Sequence, residues 1–87
     1  MHAVVIRVTI NEDEAAFAGL RDHVVPQLSQ APGFVSGYWT RKDNAGLSMI
    51  VFESEDAARA VSERIPGTVP EGVTLVDVEV REVVAHA

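Results

Sequence analysis

"APGFVSGYWTRKDNAGLSMIVF", residues 31–52, decides the fold of this chain. It holds Phe34, Tyr38, Trp39 and Phe52, four of the five Phe, Tyr and Trp residues present. Two runs rich in aromatic and β-branched residues, 34–41 and 47–53, flank "KDNAG". Such runs favour strands. The asparagine and glycine between them supply the positive φ that a tight hairpin needs. By strict alternation Phe34 and Tyr38 share one side of the first strand and Val35 and Trp39 the other. The second strand sets Ile50 and Phe52 against Leu47, Met49 and Val51. Strands apolar on both sides are covered on both sides. Gly37 is expected to mark a bulge.

Before the hairpin, residues 3–10, "AVVIRVTI", alternate, with Val4, Ile6, Val8 and Ile10 on one side and Val5, Arg7 and Thr9 on the other. This is a strand. Asn11 with Glu14 has the capping-box spacing. Phe17, Leu20, Val24 and Leu28 then recur at helical intervals, so a helix starts near Asp13. Pro26 predicts a kink or stop, with a short further turn to Gln30, because proline lacks an N–H and disfavours helical geometry at Val25. After the hairpin, Ser54 caps a second helix whose first turn holds Glu55 and Asp56, where the helix dipole favours anions. Ala57, Val61 and Ile65 form its apolar stripe, and Pro66-Gly67 ends it. Residues 73–84 read as a last strand, with Val76, Val78 and Val80 facing the helices.

The order β-α-β-β-α-β over residues 1–87 is the split-βαβ, ferredoxin-like arrangement of class α+β: a four-stranded antiparallel sheet with both helices on one face. One domain of 87 residues buries only roughly 60–65% of its unfolded surface. No cysteine is present to staple it, yet 47% of its residues are hydrophobic. Excess apolar surface on a thin core, together with a hairpin that needs covering twice, predicts a homodimer.

The net charge is −6 and the sequence pI about 4.8. Such a balance disfavours nucleic acid and anionic membrane. No apolar run is long enough to span a bilayer. "MHAVVIRVTI" places Arg7 inside an alternating pattern and lacks a basic flank with an apolar block, so a cytoplasmic, soluble protein is expected.

With this order in place, "APGFVSGYW" at the second strand and "FESEDAARA" after the third make the chain resemble the dimeric α/β-barrel proteins, in particular the antibiotic-biosynthesis-monooxygenase-like domains. The resemblance covers nearly the whole chain. It implies two facing sheets in a homodimer, with ligands held between sheet and helices or within the barrel. Members oxidise polyketide quinols with molecular oxygen and no cofactor, and others degrade haem. Haem-degrading members use an asparagine on the first strand with a tryptophan and a histidine in the second half. Here no asparagine precedes Asn11, Trp39 lies on the second strand, and "SEDAARAVSERI" holds no histidine. The resemblance therefore carries the fold and assigns no catalytic residue.

Four residues are candidates for ligand binding: Arg7, His23, Tyr38 and Trp39. Tyr38 and Trp39 are neighbours on a strand and point to opposite faces. One packs under a helix and the other faces the inter-sheet space, where it could stack a flat ligand or serve as dimer core. Arg7 could stabilise an anion or close a cross-strand ion pair with Asp77 or Glu79. His23, at the edge of the first helix's stripe, could serve as a general base or stand in solvent. His2 and His86 end on neighbouring strands, but two histidines without a third ligand make no metal site. Three functions are compatible with this inventory. One is cofactor-independent oxidation of an aromatic or quinol substrate. The second is a non-catalytic dimeric ligand-binding or regulatory module of the same fold, with a small aromatic molecule as its possible ligand, and the third is a purely dimerising domain.

Overall fold

A computed structural model describes all 87 residues. Strand β1 (His2–Ile10) leads into α1 (Asp13–Gly19), a π-helical turn (Leu20–Val24) and α2 (Val25–Ser29). The hairpin of β2 (Phe34–Lys42) and β3 (Ala45–Phe52) follows, then α3 (Glu55–Arg64), a 3₁₀ turn (Ile65–Gly67) and β4 (Val73–Glu82). The strands form one sheet in the order β2-β3-β1-β4, every neighbouring pair antiparallel. This is the expected α+β, ferredoxin-like arrangement.

The core lies on one side of the sheet. Val4 and Ile6 of β1 and Ile50 and Phe52 of β3 meet Leu28 of α2 and Ala58 and Val61 of α3. Phe52 is fully buried and meets Phe34 edge-on, with ring centroids 6.2 Å apart. Fully burying a side chain of this kind stabilises by about 1.5–3 kcal/mol. Ser54 caps α3 as expected, its Oγ accepting a hydrogen bond from the Ala57 N–H at 3.1 Å.

Several local expectations are corrected. The β2 bulge lies at Val35, between Phe34 and Ser36, and not at Gly37. The extra residue reverses the alternation, so Phe34 joins Trp39 on the helix side. In the hairpin the positive φ belongs to Asp43 (55°), while Gly46 sits inside β3. A second irregularity separates Arg7 and Val8 of β1 from Asp77 and Leu75 of β4. It leaves Val76 63% exposed and packs the half-buried Leu75 against the core in its place. Asn11 does not cap α1: its side-chain N–H donates to Thr74 Oγ1 at 2.8 Å, tying the end of β1 to β4, and Glu12 occupies the cap position. As expected a short further turn runs to Ser29, with Gln30 at its C-cap, but the helix does not stop at Pro26. It widens just before it, where the Val25 N–H reaches back five residues to the Leu20 carbonyl. Proline in a regular helix clashes with the carbonyl four residues earlier, here that of Asp22, and the wider turn relieves that contact.

Candidate functional site

A cavity of about 130 Å³ opens between the sheet and the first helical segment. Two sequence features keep it open. Helix α1 is short and buries only Ala16, so it stands off the sheet. Beneath it Gly46 has no side chain, and a Cβ there would lie 2.5 Å from Val8 Cγ2. Trp39 forms a side wall. Its indole lies over Gly37, where a Cβ would come within 2.8 Å of the ring. Phe17 and Leu20 form the roof, and Ser48, the one buried polar residue, stands on the floor.

The lining holds a single charged residue, Arg41. Its Nη1 donates to Asp13 Oδ2 at 2.9 Å, and its guanidinium carbon lies 5.0 Å from the Phe17 ring centroid. Both partners belong to α1, so Arg41 ties the standing-off helix to the edge strand. The cavity can therefore take a small, mainly apolar molecule with an aromatic wall on one side and one cationic donor group. No histidine or carboxylate lines it.

The four predicted candidates separate. Trp39 enters this cavity. Tyr38 points to the opposite face of the sheet and is 67% exposed. Arg7 stands on that opposite face too, its Nη1 3.2 Å from Glu79 Oε1 and 3.7 Å from Asp77 Oδ2. Arg81 meets the same Glu79 oxygen at 2.8 Å. The hydrogen bond from Arg81, and then that from Arg7, hold the Glu79 carboxyl below its ordinary value. His23 is exposed and does not line this cavity; with Asp22 and Gln27 it borders a separate groove between the first helical segment and the loop that carries Thr68, Pro70 and Glu71. At the other end of the sheet, His2 Nε2 lies 3.8 Å from Glu55 Oε2, and its Nδ1 is buried without a partner.

The helix-free face of the sheet has two halves. Across β2, β3 and β1 it presents Tyr38, Met49 and Leu47, the last two each 44% exposed. Beneath them Val5 is buried between Met49 and Glu79. Toward β4 it carries the Arg7–Asp77–Glu79–Arg81 network, which balances two positive against two negative charges.

Arg41 is the residue that sequence reasoning missed. Beside a polar turn it reads as a solvated charge. The available signal was its alternation with Trp39, two residues earlier on the same strand, once Trp39 is placed on the helix side. No family model matches this chain, and no curated protein matches it by sequence.

Proposed function

We propose that this protein is a small-molecule-binding module of the dimeric α/β-barrel kind, similar in plan to the antibiotic-biosynthesis-monooxygenase-like domains. It holds a small aromatic or aliphatic ligand between the sheet and α1. The observation that carries this reading is the cavity walled by Trp39 and kept open by Gly46. Its lining offers apolar surface and one cation but no group able to take up a proton near pH 7, which favours binding over acid–base chemistry. The second subunit covers the helix-free face. Tyr38, Leu47, Met49 and Val5 supply an apolar interface core, and the self-neutralised ion network supplies a polar rim.

Trp39 is the only tryptophan in the chain, so its fluorescence reports directly on the cavity. Titration with small phenols, benzamides and alkyl amides is expected to change the emission saturably. An unchanged emission, with no binding by calorimetry, would overturn the reading. For the dimer, Met49→Glu is expected to convert a dimeric sedimentation profile to a monomeric one while the far-ultraviolet circular dichroism is kept. A wild-type protein that sediments as a monomer at micromolar concentration would refute that part.

A second reading has one observation in its favour. The Arg41 guanidinium beside an aromatic wall could stabilise a phenolate or enolate, as cofactor-independent oxidation of an aromatic or quinol substrate by oxygen requires. Oxygen uptake with anthrone-like phenols, abolished in Arg41→Gln, is the assay for it.

A further inference from the structure

We propose that the ligand of this cavity is a small hydrophobic carboxylate, and that Asp13 stands in for its carboxylate when the cavity is empty. The inference rests on the reading of the cavity as a ligand site and goes on to name the ligand class. In a chain with thirteen acidic and seven basic residues, the only charged side chain lining the cavity is a cation, Arg41. A planar guanidinium matches a carboxylate through two parallel N–H···O bonds. Arg41 already makes one such bond, from Nη1 to Asp13 Oδ2 at 2.9 Å. Asp13 and Arg41 are both well exposed, 62% and 44% by side chain. An ion pair that accessible is weak and exchanges readily. The Phe17 ring stays under the guanidinium, so the arginine can change its anion without leaving its aromatic seat.

Size sets the body of the ligand. A cavity of about 150 Å³ holds benzene, and this one, at about 130 Å³ and open at its mouth, suits a phenyl ring or a chain of similar bulk. The ring would lie against Trp39 over the Gly46 floor, and the carboxylate would project to the mouth, where Arg41 and solvent meet. A phosphate dianion fits less well, because a single arginine balances only part of its charge and the mouth offers no second cation.

Benzoate and benzamide share shape and differ in charge, so they test the charge and the cavity separately. Both are titrated at pH 7 into the wild type, Arg41→Gln and Asp13→Asn, following the Trp39 indole N–H and the Arg41 side-chain N–H by nuclear magnetic resonance. In the wild type benzoate is expected to bind roughly tenfold more tightly than benzamide, as a charge-assisted hydrogen bond in a partly solvated site allows. Arg41→Gln should erase that preference, so that benzoate and benzamide bind that variant equally. Asp13→Asn should tighten benzoate a further roughly threefold, because the competing carboxylate is gone. This gain cannot arise from a loss of folding. Benzamide binding with no preference for benzoate would leave the cavity reading in place and overturn the carboxylate. Equal benzoate affinity in Arg41→Gln and the wild type would overturn it as well. Binding of neither compound would overturn both.

Discussion

Gly46→Ala adds one methyl group where the floor of the cavity meets β1. The new Cβ would lie 2.5 Å from Val8 Cγ2 and 3.7 Å from Ile10 Cδ1. The first distance lies far inside van der Waals contact. Valine is branched at Cβ and stiff in χ1, so its methyl cannot swing clear without turning the whole side chain or moving the strand. Overpacking of this kind costs about 1–3 kcal/mol. Replacing glycine inside a strand returns about 0.5–1 kcal/mol of backbone entropy. Taking the middle of each range, the net is a loss of about 1 kcal/mol, or about 4–8 °C in Tm for a domain of this size. Val8→Ala alone removes two half-buried methyl groups, for about 1 kcal/mol. The double variant lets the alanine methyl at position 46 occupy the space that Val8 vacates. It should therefore be more stable than the sum of the single effects by about 1 kcal/mol. Urea unfolding monitored by circular dichroism, with the slope checked for constancy, measures all four proteins at one protein concentration. A neutral Gly46→Ala, or strictly additive single effects, would refute the claim that Val8 leaves no room for a side chain at position 46.

Phe52→Ala should cost about 3–5 kcal/mol, a large share of the stability available to so small a domain, and leave the chain largely unfolded by circular dichroism at 37 °C. Ser54→Ala should cost about 1 kcal/mol, read from the urea midpoint, because the Ala57 N–H loses its acceptor. Glu79 has a folded-state pKa below its unfolded one. Its contribution is thus complete above the unfolded value of about 4.3 and is lost as pH falls through the folded value. A carboxyl-carbon titration should give a midpoint that rises more in Arg81→Gln than in Arg7→Gln, and the reverse ranking would refute the order of the two arginines.

Alternation made the fold legible. Val4, Ile6 and Val8 identify the buried side of β1 without help from any neighbour, and turn residues fix the element order. Trp39 was legible as an aromatic facing one of two ways, but the sequence left the direction open. The bulges at Val35 and Val76 were hidden because both residues are good strand formers, and a bulge of this kind demands no special side chain. Each hidden bulge reassigns the side chains beyond it, so that Phe34 parts from Tyr38 and Val76 from the helix-facing Val78 and Val80. The cavity was out of reach for another reason. It depends on the distance between α1 and the sheet, and on Arg41 meeting Asp13 twenty-eight positions away, a contact that no local pattern encodes.

The π-helical turn has a consequence for which residues can be gained or lost. Ala16, Leu20, Val24 and Leu28 recur every four positions. On a regular helix each such step over-rotates by about 40°, so the stripe would wind through about 120° from first to last. The wide turn absorbs one residue without advancing the helix phase, which takes back about 100° of that drift and keeps Ala16 and Leu28 toward the sheet together. The segment thus carries a spare residue. A chain lacking Asp22 and bearing alanine for Pro26 should form a regular helix with both ends still in register. Helix α3 has no such slack, and a residue removed from its middle turns Ile65 away from the core by about 100°.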